Sequence, residues 1–327
     1  MLTGLLIVSV LFVAFTNGAN ANFKGVASLY GSGTTSLKRA LVWGTATTFL
    51  GSLTAMFFAG ELLKRFTGRG LVPDELVTNP SFLTAVAIGA ALTSFLANRF
   101  GFPVSTTHAL IGALVGAGAM AVGINAAQNG DTSAQGVQLV VLGKLFLFPL
   151  VWSPIVAALL GCVLYRILYS MGLAPNQRTR SLDVAHFFST GAASFARGLN
   201  DTPKMVALLS IVPDLYGPFG FILVALAIAA GGLLDAEGVA ETLGKKLTGM
   251  NPGQGFAASL VTAGLVGTAS LHSWPASTTH VSVGSLLGIG GATGQVHWRK
   301  ALEVLYAWIV TLPCGALIAA IAYRLLG

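Results

Sequence analysis

Two hexapeptides hold most of the chemistry this chain could perform: Pro103-Val104-Ser105-Thr106-Thr107-His108 and Pro275-Ala276-Ser277-Thr278-Thr279-His280. In each, serine and threonine follow a proline and open an apolar, glycine-rich stretch, where they are favoured as helix N-caps. A helix start with hydroxyls and free backbone N–H groups binds an anion without any strongly charged residue. A second repeated segment lies upstream of each: Gly18-Ala19-Asn20-Ala21-Asn22-Phe23-Lys24 and Gly198-Leu199-Asn200-Asp201-Thr202-Pro203-Lys204. Amides and charges are costly in apolar chain unless partnered, so their recurrence marks a site built between two halves. The expected substrate contacts are Asn20, Lys24, Ser105, Thr106, Thr107, Asn200, Asp201, Lys204, Ser277, Thr278 and Thr279. Asp201, His108 and His280 are the candidates to carry a coupling proton, because intramembrane ionisable groups often act as relays and histidine titrates near neutral pH.

The motifs recur in the same order at offsets of 180 residues (Lys24 to Lys204) and 172 residues (His108 to His280). Pro154 and the apolar run to Tyr165-Arg166 match Pro313 and the run to Tyr323-Arg324, so each half closes on a similar helix. With 54% hydrophobic and 9% charged residues and a mean hydropathy of +0.78, the 327-residue chain is a polytopic membrane protein. A spanning helix needs about 20 mostly apolar residues. Suitable stretches lie near 2–22, 40–63, 81–98, 109–127, 137–171, 184–196, 205–234, 255–271, 281–292 and 300–326. Those at 109–127, 184–196 and 281–292 are short or rich in Gly and Ala and suit broken helices or re-entrant hairpins. The fold expected is all-α, with two inverted-topology repeats: residues 1–171, a polar linker 172–183, and residues 184–327. Pro203 predicts an interruption in the second motif, and the glycines around Asn20 predict one in the first.

The net charge of +7 is scattered in short clusters such as Lys38-Arg39 and Arg299-Lys300, which anchor loops and do not suit nucleic acid. The basic 172–183 stretch is assigned to the cytoplasm, and the protein as a whole to the cell (inner) membrane as a multi-pass component of the lipid bilayer, with a second copy of itself as a candidate partner. Residues 2–15 followed by Ala19-Asn20-Ala21 mimic a cleaved signal peptide, but they lack a basic n-region and the motif recurs in the second half. Cys162 and Cys314 read as small packing residues. No P-loop, dinucleotide fingerprint or metal-ligand cluster stands out, so no cofactor is expected, and the connectors 64–80, 128–136 and 236–254 are too short for domains. Three classes fit a duplicated anion site: a secondary transporter, a passive anion channel, or an intramembrane serine hydrolase pairing Ser105 or Ser277 with His108 or His280 three residues on. Duplication disfavours the hydrolase, which needs one active site, and the chain is read as no enzyme.

From Gly18-Ala19-Asn20 through Gly31-Ser32-Gly33, Pro103 to His108, Ala196 to Ala207 and Gly255 to Ala258, to Pro275 to His280, the chain resembles the inorganic phosphate transporter (PiT) family. The resemblance implies a secondary transporter of inverted repeats that takes up phosphate with sodium or protons, sulfate being the rival anion. The family's first motif reads Gly-Ala-Asn-Asp followed three residues later by a second Asn, in both halves. Here the Asp survives only as Asp201, Ala21 stands at its counterpart, and Lys24 and Lys204 replace the later Asn. The resemblance makes Asn20, Asn200 and Asp201 possible sodium ligands, and the lysines then stand where coupling sodium ions would, supplying their charge to the anion directly.

Overall fold

The computed structural model describes residues 1–58, 60–129 and 136–327, so part of the 128–136 connector lies outside it. The first repeat contains α1 (Leu2–Ala21), α2 (Ala27–Gly31), α3 (Leu37–Phe58), α4 (Gly60–Phe66), α5 (Pro80–Arg99) and α6 (Thr106–Asn129). It closes with α7 (Leu139–Val141), a π-helical stretch Leu142–Leu147 and α8 (Phe148–Ser170). The second contains α9 (Arg180–Val206), α10 (Pro218–Leu234), α11 (Glu237–Glu241), α12 (Pro252–Leu271), α13 (Thr278–Thr293) and α14 (Trp298–Leu326). Seven helices among the described residues are long and apolar enough to cross a membrane, or eight counting α10 with the helical segment bent 65° from it. Large apolar side chains such as Phe148, Leu159, Ile309 and Leu317 face outward along α8 and α14, as a lipid-exposed surface requires.

Exchanging the repeats maps α1, α3, α5, α6 and α8 onto α9, α10, α12, α13 and α14. Helix starts obey the same rule: Asn79 and Asn251, 172 residues apart, both cap with their side chains ahead of a proline at the first helical position. The packing is shared across repeats, with α6 against α14 and α13 against α8, α1 against α10 and α9 against α3. Glycines permit these approaches. A Cβ at Gly18 would strike the Ile228 carbonyl and one at Gly198 the Thr48 carbonyl, while Gly231 and Gly51 face the carbonyls of Phe15 and Phe195. All four correspondences carry the same 180-residue offset. Gly112 and Gly116 meet Leu312 and Ala316 just as Gly284 and Gly288 meet Pro154 and Ala158. In lipid, where apolar burial gains little, such small-residue contacts drive helix association.

The repeats are inverted. Asn17 pairs with Asp201, Gly25 abuts Ser194 and Ser28 pairs with His186, so α1 and its continuation advance as α9 retreats. The first motif breaks as expected: α1 ends at Ala21 and Asn22–Gly25 form a 3-10 turn. The second does not. Helix α9 runs through Pro203 to Val206 and takes in both the 184–196 stretch and residues 180–183 of the linker. Pro203 sits in the last turn, where it forfeits the bond to the Leu199 carbonyl and crowds that carbonyl, and side-chain pairs from Asp201 to Arg197 and Lys204 staple the helix across that turn. Residues 109–127 likewise lie within one continuous helix, α6, whereas 281–292 belong to α13, whose 16 residues are short for a span.

Gly231→Val should wedge α10 from α1 and destabilise the protein by about 1–3 kcal/mol, read as a lower thermal midpoint in detergent. Gly264→Ala, with nothing nearby among the described residues, should be neutral or stabilising by up to about 1 kcal/mol.

Candidate functional site

The polar motifs converge where the tips of the α5–α6 and α12–α13 hairpins meet the ends of α1 and α9. Among the described residues the buried charged side chains are Lys24, Arg197, Asp201 and Lys204. At 3% and 1% exposure, neither lysine snorkels to an interface. The Lys24 ammonium donates to Asn20 Oδ1 at 2.9 Å, the Val104 carbonyl at 2.6 Å and Thr279 Oγ1 at 2.6 Å. The Lys204 ammonium donates to Asp201 Oδ1 at 3.0 Å, the Ala276 carbonyl at 2.9 Å and Thr107 Oγ1 at 2.8 Å. Val104 and Ala276, like Thr107 and Thr279, are related by the 172-residue offset, so the two oxygen cages are copies. Each lysine takes a carbonyl from its own repeat and a threonine hydroxyl from the other, and thereby ties the repeats together.

The cages differ in charge. Lys204 has a carboxylate, whereas all three Lys24 partners are neutral. Asp201 is shared further: its Oδ2 accepts from Asn17 Nδ2 at 3.3 Å and from Thr278 Oγ1 at 3.5 Å, and lies 3.7 Å from Arg197 Nε. Arg197 donates to Asn17 Oδ1 and Asn22 Oδ1, both at 2.6 Å, and to Thr48 Oγ1 at 3.2 Å. Asn17 also donates to Thr106 Oγ1 at 3.0 Å. Asn17 and Arg197 lie outside the residues expected at the site, and Asn22, though part of the first repeated motif, is not among the expected substrate contacts. The available signal was register: Asn17 and Arg197 are themselves 180 residues apart and face each other across the inversion axis. Three buried cations against one carboxylate leave two positive charges that nothing described here balances.

Asn20 Nδ2 donates to the Phe102 carbonyl at 2.9 Å and its Oδ1 accepts from the Val104 amide at 3.1 Å, which clamps the first hairpin tip. Asn200 Nδ2 donates to the Ala276 carbonyl at 3.0 Å, but its Oδ1 is buried without a partner among the described residues. Ser105 and Ser277 cap their helices, each Oγ accepting from the amide of His108 or His280 at 3.2 Å. Neither hydroxyl meets an imidazole, so the serine hydrolase has no nucleophile and base pair here. The amides of Thr106, Thr107, Thr278 and Thr279, in the first turns of α6 and α13, have no acceptor within their own helices.

His108 and His280 are brought together instead with each other, ring centroids 4.6 Å apart. His280 stacks on Trp308 at 3.9 Å and its Nδ1 lies 2.9 Å from the Leu150 carbonyl. Among the described residues neither imidazole bonds to a motif lysine or to Asp201.

Asp201→Asn should strand the Lys204 and Arg197 cations against a neutral amide and destabilise the protein by about 3–5 kcal/mol. Adding Arg197→Gln should recover part of that loss, with thermal unfolding in detergent as the measurement.

Comparison with known proteins agrees with this architecture. The model of the phosphate transporter family (PHO4) matches residues 17–319. A probable low-affinity inorganic phosphate transporter of Rhizobium meliloti (strain 1021) is 29% identical, with 99% of this chain and 96% of that protein covered. One of Bacillus subtilis (strain 168) is 26% identical, with 100% and 97% covered. A solved structure named the sodium-dependent phosphate transporter shares the fold, with a TM-score of 0.84 at 21% identity over 99% of this chain and 98% of that one. With a family match over nearly its whole length and two inverted repeats of membrane-spanning helices, the chain belongs to the phosphate transporter family of integral membrane proteins.

Proposed function

We propose that this protein is a secondary transporter that carries inorganic phosphate across the membrane by alternating access of its two repeats, residues 1–171 and 184–327, with protons as the coupling ion. The observation that carries this reading is the pair of matched oxygen cages filled by Lys24 and Lys204. Carbonyl, amide and hydroxyl oxygens are the ligands a sodium ion would use, and an ammonium satisfies them while remaining covalently attached. Asn20 Oδ1 and Asp201 Oδ1 are spent on the lysines, which supports charge supplied by the protein and not by co-transported sodium.

The two unbalanced positive charges match a phosphate dianion. Binding would draw Thr107 and Thr279 away from the lysines and towards the anion, where the free amides at the α6 and α13 starts add donors. Because each cage joins both repeats, an anion that loosens the cages also loosens the join. Phosphate that keeps a proton can donate to Asp201, which sulfate cannot do, and this favours phosphate. A passive channel would need a continuous opening, whereas the motif side chains here are bonded to one another.

Radiolabelled phosphate and sulfate uptake into proteoliposomes under imposed proton and sodium gradients tests the proposal. Phosphate should accumulate under the proton gradient, and Lys24→Ala or Lys204→Ala should each reduce accumulation by about tenfold or more, as expected when one partner of a buried charged contact is removed. Accumulation with sodium alone would overturn the coupling ion, and accumulation of sulfate alone the substrate. Normal uptake by both lysine variants would remove the lysines from the mechanism.

A further inference from the structure

The two lysines are copies, but the ways out from them are not. Beside Lys24 lies a cavity of about 10 Å³ bordered by Lys24, Ser28, Ser259, Thr262, Ser282 and Ser285, about the size of one water and polar on several sides. A hydrogen-bonded file leads away from it. Ser259 Oγ lies 2.7 Å from Ser28 Oγ, which lies 2.8 Å from His186 Nε2. His186 Nδ1 lies 3.4 Å from Thr34 Oγ1, and that hydroxyl lies 2.8 Å from Ser32 Oγ. Arg178 donates to the Thr34 carbonyl at 2.9 Å and pairs with Asp183 at 2.7 Å, which places the outer end at the membrane face that carries the 172–179 segment.

The repeat offsets identify what stands at the same places around Lys204. Ser28, His186, Ser259, Thr262, Ser282 and Ser285 correspond to Leu208, Leu6, Ala87, Ala90, Leu110 and Ala113, all buried in one apolar cluster. Because the repeats are inverted, that counterpart leads to the opposite face. The difference is written into residue types and not into a conformation: one route is hydroxyls and an imidazole, the other is dry.

A hydroxyl both donates and accepts, and an imidazole bonded at both nitrogens can take a proton on one and release one from the other. His186 is the titratable member of the file. Helix α12, packed against it, contributes no titratable residue, α3 contributes only Lys38 and Arg39, both exposed, and α2 contributes only Tyr30, under the Lys245 ammonium. The charged groups at its ends are Arg178, Arg180 and Asp183 outside and Lys24 inside, with Arg197 further along α9. Among the described residues Lys24 is the buried cation with no carboxylate partner, and a buried charge lacking a counter-charge is the one most readily given up as a neutral amine.

We propose that His186, with Ser28, Ser259 and Thr34, is a proton path between the 172–179 face of the membrane and Lys24, so that Lys24 takes up the coupling proton with which the anion binds. A proton enters at His186 Nδ1 from the Thr34 side, and the ring releases one from Nε2 to Ser28. Ser28 passes its own hydroxyl proton through Ser259 and the adjoining cavity to the Lys24 amine, whose lone pair accepts it to give the ammonium. On the opposite side the proton leaves with the anion: the Lys24 N–H bond breaks as a phosphate oxygen takes the proton, which restores the neutral amine and carries one proton across with the substrate. This role rests on the transporter reading above and assigns the coupling step to residues outside the repeated motifs.

The test is His186→Leu, which installs the residue found at the counterpart position, in proteoliposomes holding a trapped pH dye. Accumulation of radiolabelled phosphate driven by a pH gradient, and the dye signal that accompanies it, should both fall by about tenfold or more. Phosphate–phosphate exchange at equal pH on both sides, which needs no net proton movement, should stay within about twofold of the unsubstituted protein. Ser259→Ala should act in the same direction and serves if His186→Leu fails to fold. Full gradient-driven accumulation in these variants would overturn the path. Exchange lost in parallel with accumulation would also overturn it, making His186 part of binding or folding. Neither exchange nor accumulation by the unsubstituted protein would instead overturn the transporter reading, and the path with it.

Discussion

An ammonium group removed from water has to be ringed by oxygen, and the architecture around the motifs follows from meeting that need twice. The backbone carbonyls of Val104 and Ala276 are free to serve because Pro103 and Pro275 stand ahead of them in non-helical hairpin tips. Irregular backbone at membrane depth is tolerated only inside protein, where its polar groups find partners. The lysines provide those partners, and the hydroxyls of Thr279 and Thr107, reaching over from the opposite repeat, complete each cage. The same contacts that satisfy the charge therefore hold the two repeats in register.

Close helix packing makes that arrangement reachable. Glycines at matched positions bring α1 against α10, and α9 against α3, nearly to backbone contact. These glycines obey the same offset as the lysines, so packing and site were duplicated together. The inversion then sets the two cages on either side of one axis, with Asn17 and Arg197 facing each other across it.

Where the halves diverge, the divergence concerns charge and wetness. Ala21 stands opposite Asp201 and Asn17 opposite Arg197, so the second repeat carries an internal ion-pair system and the first does not. The stapled helix continues past its proline, while the unstapled one unwinds at Asn22–Gly25. Local propensity pointed the other way, to a break at Pro203, because a sequence pattern does not reveal which side chains lock a turn from outside. His108 and His280 show the same limit. Their repeated position beside the hydroxyls does not reveal that the two rings meet each other and that His280 stacks on Trp308.

By itself the sequence determined that the chain is membrane-embedded, that it is two copies of one design, and that Asn20, Lys24, Asn200, Asp201, Lys204 and the two threonine pairs belong to one polar cluster. Those properties follow from composition and spacing, because a polar group in lipid is too expensive to repeat without use. Tertiary structure decided the rest. It set the antiparallel crossing of α1 and α9, the exchange of threonines between cages, and the recruitment of Asn17, Asn22 and Arg197. It also placed His186, which has no motif and no polar counterpart, within hydrogen-bonding distance of Ser28, distant in sequence. The reason is physical: spacing along a chain encodes period and offset, but which partners satisfy a buried charge depends on segments that meet only when the helices pack.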